Sequence, residues 1–599
     1  MLNLLTITFN KISIQGFLCF DVARKIYIVN GLLLLFAFER LLDLSALPTQ
    51  AGGVPVLVLK EGANRSRGRD AQHNNITAAK VVAESIKSAF GPKGMDKLLV
   101  DNFGDITVTS DGRTILDEMD IQHPAAKMLV EVAKTQDNEA GDGTTSAVII
   151  TGELLGCAEG LIEKNIHPTV IIDGYKKASE KALETLENIA LPFDFSKSKD
   201  FLKKTAVTSL AGKLVADHKE CLSDIVITAM LEIMEKQSDG TYKVDVDDVK
   251  VEKKTGESLG DTKLVNGIIV DKEIVHSSMP KYVKNAKIVL IDASLENDKP
   301  EFDSKINVED PAHIAAFLQQ EEDMLHDMVE KIVATGANVV ICQKGIDDMA
   351  QHFLAKKGII ALRRAKKSDM EKLARAIGGK IVSDINDISS KDLGTATLVE
   401  ERKIGDDKMT FIEGCKNPKA VTILIRGGTE RLNNEAERSI HDALCAIRDL
   451  IYEPKVVAGG SASEMEMATS LKKYAQTISG REQLAIMAFA EALESIAVTL
   501  SENAGLDPID ILSELRARHE KREIWAGIDV NSGKVQDMTK MNVYEPIVVK
   551  RQILKSAYEA ASLILKIDDV IASGKNKTPP APPGGMPGGM GGYPNDGEY

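Results

Sequence analysis

Residues 141–145 read Gly-Asp-Gly-Thr-Thr, and the apolar run Ala147-Val-Ile-Ile150 follows almost at once. Glycines let backbone N–H groups approach an anion closely, and a helix N-terminus adds partial positive charge. Asp142 repels phosphate unless a cation such as Mg²⁺ lies between them, and the hydroxyls of Thr144 and Thr145 can cap a helix or donate to phosphate oxygens. The stretch therefore indicates a metal-nucleotide site, although an ordinary helix cap after a glycine turn explains the same residues.

The composition indicates a soluble protein of several domains. At 599 residues the chain is too long for one hydrophobic core, and 43% hydrophobic with 27% charged residues is typical of globular proteins. The net charge of −15 argues against binding nucleic acid, which requires a basic surface. The six cysteines are scattered singly, so they indicate neither a disulfide framework nor a zinc site, and a cytoplasmic location fits best.

Residues 1–47 form an atypical apolar N-terminal extension, rich in Leu, Ile and Phe. Its longest apolar run, Ile26 to Phe38, is shorter than the roughly 20 residues that span a bilayer, so we do not expect a membrane protein. A misassigned start codon, an interfacial anchor and an unusual export signal all remain open as explanations.

Apolar periodicity predicts helices at both ends of the chain and an α/β region between them. The predicted helices are 74–90, 124–138, 146–164, 168–190, 429–452, 462–478, 481–504 and 507–520. The predicted strands are 267–270, 287–291, 338–341, 358–362 and 380–382, which alternate with helical stretches at 345–356 and 368–377. This alternation predicts a parallel or mixed sheet with flanking helices. The simplest architecture brings the two helix-rich ends together and inserts the middle.

Three further turns carry residues suited to a phosphate ligand. Gly91-Pro-Lys-Gly-Met95 is glycine-rich, Ser110-Asp-Gly112 offers a carboxylate beside a helix, and Thr208-Ser-Leu-Ala-Gly-Lys213 ends on a lysine. Asp111 can orient a water or a metal, and Lys213 can reach a terminal phosphate as a mobile point charge. Each segment also has a plain structural interpretation: a helix stop, an N-cap aspartate and a solvent-exposed lysine.

Two segments of the C-terminal half are further candidates. Asp442 lies inside a predicted helix, and Val456-Val-Ala-Gly-Gly-Ser-Ala462 is a strand-like run that meets a glycine turn. A single aspartate in the middle of a helix usually belongs to a solvated face. Asp442 becomes a functional candidate only if the fold places it opposite Asp142.

Taken in order, these segments closely resemble the group II chaperonins, and specifically the archaeal thermosomes. The resemblance covers roughly residues 54–574. The matching stretches are Leu57-Val-Leu-Lys-Glu-Gly62, Gly91-Pro-Lys-Gly-Met-Asp-Lys97, His123-Pro-Ala-Ala-Lys127, Gly141-Asp-Gly-Thr-Thr145, Arg438-Ser-Ile-His-Asp-Ala443 and Lys566-Ile-Asp-Asp-Val-Ile-Ala572.

The resemblance implies an α+β multidomain chaperonin fold. A mostly helical equatorial ATPase domain is expected from 48–193 and 454–573, and a small α/β intermediate domain from 194–263 and 415–453. An α/β apical domain is expected at 264–414, with a helical protrusion near 293–325 that serves as a built-in lid. Residues 574–599, rich in Gly, Pro and Met, are expected to be a disordered tail.

The resemblance also implies an activity and partners. Subunits of this family form homo- or hetero-oligomeric double rings, usually of eight- or nine-fold symmetry, around a chamber that encloses unfolded protein clients. Hydrolysis of ATP, with Mg²⁺, drives closure of the chamber. We therefore expect an ATPase and molecular chaperone that binds no nucleic acid.

Site roles carry over to matching positions. Gly91, Pro92 and Gly94 are expected to line the nucleotide pocket. Asp142 is the expected magnesium ligand. The expected phosphate-binding turn consists of Gly141, Asp142, Gly143, Thr144 and Thr145.

The remaining roles concern hydrolysis and the nucleoside. The resemblance implies that Asp442 positions and activates the attacking water with help from Asp111, and that Lys213 senses the nucleotide. It places Gly459, Gly460 and Glu545 around the ribose and the base.

Two motifs depart from the family pattern. Ser110-Asp-Gly-Arg113 stands where the family usually has Asn-Asp-Gly-Ala, and Gly459-Gly-Ser461 where three glycines are common. Arg113 adds a bulky cation near the expected phosphate site, where it either strengthens anion binding or hinders turnover. These altered residues keep a non-hydrolysing ring subunit as an alternative. A small-molecule kinase with an α/β substrate domain is a third, separate alternative.

Overall fold

The computed structural model describes residues 64–101, 103–194, 199–238, 240–296, 311–415 and 419–572. The chain divides into two compact units, and residues 66–570 form the larger one, to which all the cores and the candidate site belong. The N-terminal extension, the C-terminal tail and residues 297–310 of the expected protrusion lie outside the described residues.

Ten of the fifteen α-helices of the described residues occur where the sequence pattern predicts them, and five are additions. They are α1 Arg69–Lys87, α2 Gly112–Glu118, α3 Pro124–Ala140, α4 Thr144–Glu163, α5 Pro168–Ile189, α6 Lys199–Ala211, α7 Lys219–Ile233, α8 Pro311–Ala334, α9 Asp348–Lys356, α10 Lys367–Ile377, α11 Glu430–Tyr452, α12 Ala462–Ala475, α13 Arg481–Asn503, α14 Pro508–Glu520 and α15 Ile547–Leu565.

The strands of the described residues are mostly short. They are β1 Asn64–Arg67, β2 Lys97–Val100, β3 Ile106–Thr109, β4 Leu191–Pro192, β5 Glu235–Lys236, β6 Tyr242–Lys243, β7 Val249–Thr255, β8 Lys263–Val265, β9 Gly267–Val270, β10 Tyr282–Ile291, β11 Val339–Cys342, β12 Ile360–Leu362, β13 Ile381–Val382, β14 Gly394–Ile404, β15 Asp407–Cys415, β16 Val421–Gly427, β17 Lys455–Ala458, β18 Ala526–Asp529, β19 Lys534–Asp537, β20 Tyr544–Pro546 and β21 Asp569–Ala572.

The largest hydrophobic core draws its residues from both ends of the chain, 76–189 and 457–565. Helix α4 lies at its centre and contacts α1, α3, α13 and α15. Two of the core helices, α4 and α13, are long and apolar enough to span a membrane, but 61% and 72% of their most apolar windows are buried inside the protein. Both helices are therefore explained as core helices, and their apolar character is satisfied by packing.

A second core combines residues 202–259 with 421–456. Helices α6, α7 and α11 pack there against a three-stranded sheet of order β7-β16-β8, in which β16 runs parallel to β7. Because α6 and α11 share this core, residues more than 200 positions apart in sequence become neighbours.

The third core covers residues 268–420 and is built on a seven-stranded mixed sheet. Strands β10, β11 and β12 are parallel, as the alternating pattern predicts. The long antiparallel hairpin β14–β15 continues the sheet to β9. The chain therefore passes from the first core through the second to the third, and returns in reverse order. The three-domain division and its residue boundaries remain a prediction.

Candidate active site

The Gly141–Thr145 turn joins α3 to α4. Gly141 ends α3 at φ 69° and Gly143 is the N-cap of α4 at φ 80°, conformations that favour glycine. A Cβ on Gly143 would lie 2.8 Å from Ile553 Cδ1. Because α4 begins at Thr144, the expectation that the threonine hydroxyls cap the helix is wrong. The Thr144 Oγ1 instead donates to Asp111 Oδ1 at 3.0 Å.

The carboxylate of Asp142 is oriented from two sides. Its Oδ1 accepts the N–H of Gly143 at 2.7 Å, and its Oδ2 accepts the hydroxyl of Ser209 at 2.8 Å. Ser209 lies on α6, one turn before Lys213. The Gly141–Thr145 turn is therefore hydrogen-bonded to the short segment, residues 209–213, that carries Lys213.

Lys213 and Asp442 form a buried ion pair. The Lys213 Nζ lies 2.5 Å from Asp442 Oδ2, and the two side chains are 13% and 11% exposed. The alternative that Asp442 belongs to a solvated helix face is therefore wrong. Asp442 lies on α11 and Lys213 follows the end of α6 by two residues, so the packing of α6 and α11 in the second core brings the pair together.

Three carboxylates act on one cation at this point. Burial lowers the pKa of Lys213, but the carboxylates of Asp442, Asp142 and Asp111 outweigh it and raise that pKa above its ordinary value. Burial raises the pKa of Asp442 well above its ordinary range, Lys213 opposes this, and the charges of Asp111 and Asp142 add to the rise. The fold thus brings Asp111, Asp142, Asp442 and Lys213 into one electrostatic cluster.

Asp111 is both an N-cap and a member of that cluster. Its side chain accepts the backbone N–H of Thr114 at 2.9 Å, which caps α2. The following Gly112 packs so closely on the α4 start that a Cβ there would lie 2.6 Å from Thr145 Oγ1. The plain N-cap interpretation is therefore correct, and it does not exclude a functional role.

The Gly91–Gly94 turn lies beside the segment that leads to Lys213. Gly91 adopts φ 82°, and a Cβ on Gly94 would lie 2.5 Å from the Ala89 carbonyl oxygen. A Cβ on Gly212 would lie 3.5 Å from the Gly91 carbonyl carbon and 3.7 Å from the Pro92 nitrogen. The turn is consequently next to the cluster rather than remote from it.

Gly459 and Glu545 come together where β17 pairs with β20. A Cβ on Gly459 would lie 2.7 Å from Glu545 Oε1. Lys550 binds Glu545 at 2.6 Å and Glu464 at 2.7 Å, which gives a triad in which Lys550 and Glu464 are buried and Glu545 is half-buried. Burial raises the pKa of Glu545 and Lys550 opposes the rise, while the charges of Glu464 and Asp142 add to it.

Gly460 follows in the left-handed region at φ 61°, with Met538 packed against it. It supports the turn into α12, next to Gly459. Among the described residues, no hydrogen bond or ion pair joins Gly459, Gly460 or Glu545 to Asp442, so we describe them as a separate flank of the site.

The guanidinium of Arg113 lines the same cleft as Asp111 and Asp442 but pairs with other carboxylates. It forms an ion pair with Asp137 and a longer one, at 3.7 Å, with Asp117. Asp137 and Asp117 thus offset the charge of Arg113, and neither belongs to the cluster of Asp111, Asp142, Asp442 and Lys213.

A cleft of about 770 Å³ opens next to the cluster and has Asp111, His441 and Asp442 in its wall. Within the described ranges, no group of three His, Cys, Asp or Glu side chains is arranged to hold a metal alone. A single oriented carboxylate such as Asp142 nevertheless suits Mg²⁺, which keeps several waters and binds through one or two carboxylates plus substrate phosphates. The donor set therefore fits a metal that arrives with a nucleotide.

Sequence reasoning missed Ser209 and Lys550. The signal for Ser209 was its place in a quoted motif, four residues before Lys213. Because α6 ends at Ala211, the two residues do not share a helix face. Lys550 carried no signal, because its two carboxylate partners come from distant segments.

Comparison with known proteins supplies the family. The model of the TCP-1/cpn60 chaperonin family matches residues 82–575. Over 528 residues the chain is 56% identical to thermosome subunit beta of Sulfurisphaera tokodaii, which covers 88% of this chain and 95% of that relative. Over 536 residues it is 55% identical to thermosome subunit alpha of Archaeoglobus fulgidus, at 89% and 98% coverage.

The chain therefore belongs to the TCP-1/cpn60 chaperonin family. Within that family its similarity extends to thermosome subunits over most of its length, which confirms the resemblance of the motifs. The small-molecule kinase alternative is not supported.

Proposed function

We propose that this chain is an ATP-hydrolysing subunit of a group II chaperonin, a chaperone whose double-ring chamber encloses non-native proteins. The observation that carries the proposal is the buried ion pair of Lys213 with Asp442, with Asp142 and Asp111 close enough to act on the Lys213 charge. Four separate segments supply these side chains, and such a set suits the transfer of a phosphoryl group.

Asp142 is the proposed ligand of Mg²⁺ bound with ATP. Its carboxylate is already held by Gly143 and Ser209, so little ordering is needed when the metal arrives. Mg²⁺ supplies neutralisation of charge on the phosphates. The backbone N–H groups of Thr144 and Thr145, in the first turn of α4, and the hydroxyl of Thr145 are the proposed phosphate donors.

Asp442 is the proposed acceptor of the proton from the attacking water, with Asp111 beside it. Burial raises the pKa of the Asp442 carboxyl, which makes its carboxylate a better proton acceptor. Lys213 remains protonated, so a fixed positive charge stands beside the reacting group.

Coupling to chamber closure is proposed to follow from the division of the site between two cores. Asp142 adjoins the first core, whereas Lys213 and Asp442 adjoin the second. The chemistry therefore requires both cores to be in contact, so hydrolysis can report a closed subunit. We propose that the first core is the equatorial domain, the second the intermediate domain and the third the apical domain with its lid.

The nucleoside is proposed to lie between the two glycine turns. Gly91, Pro92 and Gly94 form one wall, and Gly459, Gly460 and Glu545 form the other. The subunit is proposed to act in the cytoplasm, in homo- or hetero-oligomeric double rings of eight- or nine-fold symmetry.

The test compares Asp442→Ala with wild type in the assembled protein, with Asp510→Ala, an exposed helical aspartate, as the matched control. Negative-stain microscopy should show double rings for all three. Steady-state ATP hydrolysis should fall by at least ~100-fold in Asp442→Ala alone. Equal rates for wild type and Asp442→Ala would contradict the proposed role and favour a non-hydrolysing ring subunit.

A further inference from the structure

Helix α11 bonds to the end of α3 through a side chain that the proposed chemistry does not use. The Arg448 Nη2 donates to the Glu139 carbonyl oxygen at 2.8 Å. This carbonyl lies in the last turn of α3, where helix carbonyls lack partners. Its helical partner would be the N–H of Gly143, which instead donates to Asp142 Oδ1. Arg448 therefore satisfies a carbonyl that the Gly141–Thr145 turn leaves free.

Arg448 is itself held in place by its neighbour Asp449. Its Nε and Nη2 both donate to Asp449 Oδ1, at 3.0 and 2.8 Å. The Asp449 side chain is 4% exposed and that of Arg448 21%, so the Asp449 end of this pair is shielded from water, whereas the bond of Arg448 to Glu139 is exposed. A shielded, charge-assisted bond fixes the guanidinium more firmly than an exposed one.

Helix α11 also packs directly against the Gly141–Thr145 turn. A Cβ on Gly141 would lie 2.2 Å from Cys445 Cβ, so α11 and the turn are in close backbone contact. Asp442, Cys445 and Asp449 are three and four residues apart, which places them on one face of α11. The face that carries Asp442 therefore rests on the turn that carries Asp142, and Arg448 ties the two together.

We infer that Arg448 is a positioning residue for ATP hydrolysis, because its bond to Glu139 fixes the separation of Asp442 from Asp142. The inference rests on the proposed function and adds a residue to it. Asp142 keeps its own bonds to Gly143 and Ser209 without Arg448. Loss of Arg448 should therefore impair the hydrolytic step and leave binding of Mg-ATP intact.

The experiment measures kcat, KM and the Mg²⁺ concentration for half-maximal ATPase rate in intact rings of wild type, Arg448→Gln, Arg448→Lys and Arg518→Gln. Arg518 pairs with Glu514 on α14 and is the arginine control. For Arg448→Gln we expect kcat to fall on the order of 10-fold or more, with KM and the Mg²⁺ requirement within about twofold of wild type. Arg448→Lys retains one donor for Glu139 and should recover part of kcat.

Each outcome decides the inference. A kcat within about twofold of wild type in Arg448→Gln, or a parallel loss of kcat and Mg-ATP binding, would overturn it. If Arg448→Gln does not assemble, Arg448→Lys decides alone: reduced kcat at unchanged KM supports the inference, and unchanged kcat overturns it. An inactive wild type would instead refute the proposed function itself.

Discussion

The Nζ of Lys213 and the Oδ2 of Asp442 lie 2.5 Å apart inside the protein, although the residues come from opposite sides of an inserted segment. Asp111 and Asp142 add two more carboxylates to the field around this lysine. Lys213 thus contacts one acid, Asp442, and its charge attracts the other two at longer range. The cluster depends on that cation for its stability and, in the proposed mechanism, for its chemistry.

Lys213→Met should destabilise the protein by about 3 kcal/mol, because it leaves a buried Asp442 without its partner. The double variant Lys213→Met/Asp442→Leu should recover most of that loss, since both charges are then removed together. Midpoints of urea denaturation measure both effects. The control is Lys203→Met, which breaks an exposed pair with Asp224 and should change the midpoint little. A double variant no more stable than Lys213→Met would contradict the pairing argument.

Asp142→Asn should weaken binding of Mg-ATP by at least about tenfold, because the neutral amide no longer attracts the metal. The amide retains the size of the side chain, so the turn should keep its conformation. Calorimetric titration of Mg-ATP into Asp142→Asn and into Asp510→Asn separates the local effect from a general one. Equal affinities in the two variants would remove Asp142 from the metal site.

The helices were predictable because their apolar residues recur at helical spacing, and Pro124 and Pro168 mark the starts of α3 and α5. The hairpin β14–β15 was not singled out, because its charged residues obscure the strand pattern. Arg402, for example, stacks on Phe411 and bonds to Glu413 across the hairpin, so a charged residue is satisfied within a sheet. Cross-strand partners of this kind are invisible until the register is known.

The candidate site likewise consists of turns that the sequence predicts and of contacts that it does not. The turns at 91–94, 110–112 and 141–145 were recognisable because glycine and aspartate chemistry is local. The contact of Lys213 with Asp442 follows from the second core, which joins 202–259 to 421–456. The pairing of Arg113 with Asp137 likewise depends on how α2 packs against α3, and the sequence does not contain that packing in any local pattern.

Ser461→Gly should stabilise the protein by about 1 kcal/mol. Ser461 adopts φ 66° at the N-cap of α12, where a Cβ is strained, and its buried Oγ has no hydrogen-bond partner within the described part of the chain. Glycine removes both costs. Part of the gain in stability is lost, because glycine has more conformational entropy in the unfolded chain than serine. Ser461→Ala removes the hydroxyl but keeps the Cβ, so it should gain less. The midpoints of thermal unfolding of wild type, Ser461→Ala and Ser461→Gly measure these effects. A midpoint for Ser461→Ala that equals or exceeds that of Ser461→Gly would show that backbone strain is not the main cost.

Asp449→Asn should stabilise the protein at pH 8 by about 2 kcal/mol, with a gain that shrinks towards zero near pH 4. Burial raises the pKa of Asp449 from 3.8 to about 6, opposed by Arg448 and increased by the charge of Asp142. Between these two values the folded state binds more protons than the unfolded state, so stability falls as pH rises. A shift of two pKa units corresponds to about 3 kcal/mol of folding free energy at pH 8. The asparagine should gain less than this, because its hydrogen bond to Arg448 is weaker than that of the carboxylate.

The control for this prediction is Asp537→Asn, for which the expected change in stability at pH 8 has the opposite sign. Burial tends to raise the pKa of Asp537, but bonds from Thr539 outweigh it and lower that pKa below its ordinary value. The stability that Asp537 contributes is present above the unfolded-state pKa and is lost as pH falls through the folded-state value. Asp537→Asn should therefore destabilise the protein at pH 8, whereas Asp449→Asn stabilises it. Urea denaturation of both variants at pH 4, 6 and 8 checks the pair. A gain in Asp449→Asn that is the same at every pH would show that its carboxyl does not titrate in this window.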